Sequence, residues 1–77
     1  MVTICDASEA LRQAQALEEW ADSRERAIAK LELKVQRLLK QNRAEEVARL
    51  RYAAGYLHEA TLRDRAHAAA LRATARQ

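Results

Sequence analysis

From Ala10 onward, apolar residues return along the chain at alternating spacings of four and three: Ala10, Ala14, Leu17, Ala21, Ile28, Leu31, Val35 and Leu38. Arg24 occupies the one slot that breaks the series. This alternation holds a single stripe of an α-helix toward a neighbour, so it predicts a long helix with a coiled-coil seam. Asp6 can accept from free backbone N–H groups, and Glu9, three residues later, can complete a capping box. The pair predicts a helix start near Ala7, with Ser8 as a second candidate cap and residues 1–6 as an N-terminal arm.

Carried past Asn42, the same register would bury Glu45 and Arg49, which disfavours one uninterrupted helix. A new phase opens at Val47 and runs through Leu50, Ala54, Leu57, Thr61, Asp64, Ala68, Leu71 and Ala75. The phases meet at Gln41-Asn42-Arg43, and asparagine is second only to glycine in tolerating the left-handed conformation that ends many helices. The predicted fold is all-α: an antiparallel hairpin of two long helices, turning near residues 41–45, in a single domain over residues 7–77.

Folding the chain there brings residues whose numbers sum to roughly 85 to the same height. Large residues then face small ones, as Leu31 faces Ala54 and Ala14 faces Leu71. Arg24 comes level with Thr61 and within one layer of Asp64, so the interruptions of both seams coincide as one polar core layer that sets register. Charge agrees with this direction of folding. Residues 1–29 carry six acids and three bases, whereas residues 52–77 carry four bases and two acids.

The chain has 77 residues, no proline and one glycine, and one seam between two thin helices gives little core for that length. Cys5 is the sole cysteine and cannot form an intrachain disulfide. Association is left as the source of the missing stability. The second helix also has apolar positions that its seam does not use, with Tyr52, Gly55, Tyr56 and Leu62 at their centre and Ala48, Ala66, Ala69 and Ala73 around them. Trp20 and Leu33 extend the candidate partner-binding set on the first helix. Two tyrosines beside a glycine suit a docking face better than solvent. The expected assembly is a dimeric four-helix bundle or a hairpin packed on a helical partner.

Chemistry is sparse. A single glycine excludes a glycine-rich phosphate loop, and no CxxC, HExxH or GxSxG pattern occurs, so no enzyme and no cofactor are expected. Asp64-x-x-His67 has the spacing of a bundle metal motif but lacks its second copy and further carboxylates, so no metal site is expected; His58 likewise reads as a half-exposed histidine. Cys5, on a short arm without a neighbouring base, reads as a small hydrophobe. No basic flank and apolar run marks a signal peptide, and no segment is apolar enough to span a bilayer. With a free cysteine, these point to the cytoplasm and to no membrane partner.

Net charge is +3, and its bases gather at one end. Lys30, Lys34, Arg37, Lys40 and Arg43, with Arg49 and Arg51 behind them, form a basic tip at the turn. Such a tip can bind phosphates or an acidic protein. Glu32, Glu45 and Glu46 interrupt it, however, and it offers no aromatic residue for stacking on bases.

In size and turn placement the layout is similar to the plasmid repressor-of-primer family, whose hairpins dimerise into a four-helix bundle that binds paired RNA loops. The stretch from Ala27-Ile28-Ala29-Lys30-Leu31 to Ala44-Glu45-Glu46-Val47 loosely resembles the hairpin segment of the small cochaperones of type III secretion needle subunits. Neither likeness includes a diagnostic residue, and no family is assigned on them. The expected function is a non-enzymatic protein–protein interaction module, an adaptor, assembly factor or cochaperone-like hairpin whose partner is itself or another helical protein. The alternative is a small basic dimeric regulator that binds nucleic acid.

Overall fold

A computed structural model describes residues 4–76, with side chains from Ala7 to Arg76. The chain forms two helices, α1 (Ile4–Lys40) and α2 (Ala44–Ala75), packed antiparallel into a rod 59 Å long and 14 by 13 Å across. No strand occurs among the described residues.

The turn between them is a Schellman motif. Asn42, at φ 58°, takes the left-handed position just beyond the end of α1. Its N–H donates to the Leu39 carbonyl at 3.2 Å, and the Arg43 N–H donates to the Leu38 carbonyl at 3.1 Å, which satisfies two carbonyls that the end of α1 would leave free. Arg43 then serves as N-cap of α2, its carbonyl accepting from Val47 N–H at 3.1 Å. An arginine side chain cannot accept from the first N–H groups, and here it pairs with Glu46. Glu45 and Glu46 in the first turn of α2, and Arg37 and Lys40 in the last turn of α1, complement the helix dipoles.

Because Asn42 both permits the left-handed turn and interrupts the first seam, Asn42→Leu acts on two levels. A leucine in that conformation costs about 1–2 kcal/mol, and the substitution carries the seam of α1 through the turn. The expected result is a shift toward one continuous associating helix, with the longest dimension in small-angle scattering roughly double the hairpin's 59 Å. An unchanged length would mean that the turn does not depend on Asn42.

At its other end α1 begins at Ile4, earlier than the expected start near Ala7. Asp6 therefore lies inside the helix and not at its N-cap. The side chain of Cys5 lies outside the described residues.

The core follows the two seams. Ala14, Ala21, Val35 and Leu38 of α1 are buried, as are Val47, Thr61 and Ala68 of α2, and the seam positions between them are half-buried. Val35, Leu38 and Val47 form one cluster beside the turn, with Leu50 packed against it. Toward the open end alanines take over at Ala14, Ala21 and Ala68. No large side chain among the described residues is fully covered, because in a two-helix layer every seam residue borders an edge.

Candidate functional site

Midway along the rod, Arg24 of α1 reaches across the seam and donates from Nη1 to Oδ2 of Asp64 on α2. Both side chains are only about a quarter exposed, at 27% and 24%. Thr61, buried one turn away, takes no part in this bond; its hydroxyl donates to the Leu57 carbonyl of its own helix at 2.9 Å. Trp20, one turn before Arg24, lies with its ring centroid 5.9 Å from the guanidinium carbon, within cation–π range. No buried side-chain polar atom is left without a partner among the described residues. The layer thus holds its charge neutral, hydrogen-bonded and partly roofed by an indole.

One edge of the hairpin is closed by ion pairs. Arg72 donates to Glu18 through Nε at 2.8 Å and Nη2 at 2.6 Å, a forked guanidinium–carboxylate pair. Arg65 reaches Glu25 at 3.0 Å through Nε and Asp22 at 2.9 Å through Nη2. Charge segregation along the chain foreshadowed contact between its acidic and basic ends, yet not these residues. The missed signal was spacing: Glu18 and Glu25, like Arg65 and Arg72, stand one heptad apart beside their seams, where antiparallel helices meet edge to edge.

The hydrogen bond to Arg72 holds the Glu18 carboxyl below its ordinary value of 4.5, and the Arg72 and Arg65 guanidinium groups are raised by their carboxylate partners, so they stay charged through the working range. A carboxylate depressed on folding stabilises the folded chain above its unfolded pKa, and that contribution disappears as pH falls through the folded value. Glu18→Gln should therefore melt slightly below the parent chain at neutral pH, while the two converge in acid below 4.5. A gap that persists in acid would assign the effect to packing.

The basic residues at the turn sit on the surface. Lys30, Lys34, Arg37 and Lys40 are exposed and make no ion pair among the described residues, whereas Arg43 is paired with Glu46. Glu45 and Glu46 line the same open depression as Arg43 and Arg49, which weakens it as an anion site.

The apolar stripe lies on the side of α2 away from α1. Tyr52 is 82% exposed, Tyr56 64% and Leu62 55%. Arg51, Tyr52, Gly55, Tyr56 and Glu59 enclose a shallow recess there. A side chain on Gly55 would meet nothing within 4 Å, and its φ is not positive, so nothing inside the hairpin calls for a glycine. In mid-helix that residue costs about 0.5–1 kcal/mol relative to alanine. Trp20 and Leu33 are also exposed but lie elsewhere: Trp20 stands over Arg24, and Leu33 is on the far side of α1 from the seam.

Two other candidates can be placed. Asp64 is engaged by Arg24 while His67 and His58 are exposed, and no group of three potential metal ligands converges among the described residues. No described helix is long and apolar enough to cross a membrane. Compared with known protein families, with curated proteins and with solved structures, the chain finds no match.

Proposed function

We propose that this hairpin is a non-enzymatic protein–protein interaction module of the adaptor, assembly-factor or cochaperone kind, acting in the cytoplasm and docking through the outer face of α2. The observation that carries this reading is the continuous exposure of Tyr52, Tyr56 and Leu62 around a helical glycine that the hairpin does not itself use. Exposed aromatic residues at one patch are the usual energetic anchors of interfaces. A half-formed core is the other support, since a partner laid on α2 would bury it from both sides.

The exposed Lys30, Lys34, Arg37 and Lys40, unpaired among the described residues, favour a second reading, a regulator that binds nucleic acid through phosphate contacts. The two readings predict opposite mutational orders. On the first, Tyr56→Ser with Leu62→Ser abolishes association, measured by retention of partner on the tagged full chain, while circular dichroism keeps its helical signal. Charge reversal at Lys34, Arg37 and Lys40 then leaves association within about twofold, as rim charges do. Loss of partner in the charge-reversed chain alone, with RNA or DNA as that partner, would replace the first reading by the second.

A further inference from the structure

The outer face of α2 is complementary to itself when turned end for end. Its positions recur at spacings of three and four from Glu45 to Arg76, a second seam on the side opposite the first. The seam has an acid at its N-terminal end and a base at its C-terminal end, and its midpoint falls between Ala60 and Thr61. Two such faces laid antiparallel about that midpoint set Glu45 of each chain level with Arg76 of the other. Tyr52 then comes level with Ala69, Gly55 with Ala66 and Ala48 with Ala73, so small residues face these positions, while at the centre Glu59 comes level with Leu62. Near the centre Glu59 lies within one residue of the height of Arg63, and Tyr56 flanks the same arginine. A parallel pairing would instead set Glu45, Glu59 and Arg76 each against its own copy, juxtapositions of like charge that cost several kcal/mol.

From this complementarity we infer that the partner of the α2 face is a second copy of the chain, docked antiparallel about a two-fold axis near residues 60 and 61. The assembly is a layer of four helices with the two copies of α2 at its centre and α1 on each outside. Resting on the docking reading above, it accounts for three features. α2 carries apolar residues on opposite faces, whereas most apolar residues of α1 lie on one, as suits an inner and an outer helix. Gly55 lets two backbones approach where Ala66 of the other chain offers little bulk. Arg65 and Arg72, which would face basic residues of the second copy along one edge, are already neutralised by Glu18, Asp22 and Glu25 of their own chain.

The test is sedimentation equilibrium on the full chain in which Cys5 is replaced by serine, with a spin label on Ala70→Cys. The parent should be a dimer, and Glu59→Arg or Arg63→Glu should each weaken self-association by about tenfold or more, since each opposes like charges twice across the axis. Mixing the two singly substituted chains should restore the dimer as a heterodimer. Within each substituted helix positions 59 and 63 carry like charges, so recovery must come from contacts between chains. In the antiparallel arrangement the Ala70 labels lie roughly 30 Å apart along the axis, from 19 residues at 1.5 Å each. A label distance nearer 10–15 Å, about the spacing of adjacent helices, would overturn the antiparallel geometry. A chain that stays monomeric yet still loses a foreign protein partner on Tyr56→Ser with Leu62→Ser would overturn self-association and leave the docking reading standing. A dimer indifferent to both sets of substitutions would place the interface off α2 and remove both.

Discussion

Leu38→Ala is expected to be among the most damaging apolar truncations in the chain, costing about 2–4 kcal/mol. Leu38 is 6% exposed, packs with Val35, Val47 and Leu50, and carries the carbonyl that closes the turn onto Arg43. Truncation leaves a gap where the two helices converge, and the thin layer offers few neighbours to fill it. Small domains fold with only about 5–15 kcal/mol in total, so this loss should leave much of the isolated hairpin unfolded. The measurement is a urea titration of the parent and Leu38→Ala chains, run beside Leu33→Ala. Leu33 is exposed on the outside of α1, and its truncation should move the midpoint little. Similar losses at both sites would show that the core beside the turn has been misplaced.

Both seams were legible because heptad spacing is a geometric property of the helix itself. Each position assigned to a seam from Ala10 to Leu38 and from Val47 to Ala75 is buried or half-buried. The turn was legible for a related reason: Asn42 is one residue whose chemistry permits what the change of phase requires. The start of α1 was not, because several residues near it can cap and helix ends are weakly determined by local sequence. Edge pairs were harder still. Many acids and bases flank the seams, and the selection of Glu18 with Arg72, and of Glu25 with Arg65, depends on helix rotation and stagger that apolar spacing sets only to within a residue.

The polar layer shows the same boundary from the other side. Coincidence of Arg24 with Asp64 followed from register alone, yet Thr61 satisfies its hydroxyl locally and Trp20 stacks beside the guanidinium, which no periodicity encodes. Had the layer been needed for packing, an apolar residue at both positions would serve it better. Holding register and direction is the role that charge at these two positions would serve.

That explanation sets the second large effect. Arg24→Leu alone removes the cation and leaves the Asp64 carboxylate three-quarters covered with no partner, a state that costs about 3–5 kcal/mol at full burial and less here because the pair keeps some contact with water. Asp64→Leu alone strands Arg24 similarly, although its long side chain can swing out to solvent beside Trp20, so its loss should be the smaller of the two. Changing both together places two leucines in the seam, fills the layer with apolar volume and should recover stability to near or above the parent. The two changes are thus expected to be non-additive by about 1–3 kcal/mol, measured from urea midpoints of the four chains. The double variant should also lose directional control, and cross-linking or scattering should detect parallel and higher assemblies that the parent does not form. Simple addition of the two losses would mean that Arg24 and Asp64 act independently, and the register built on their pairing would then be wrong.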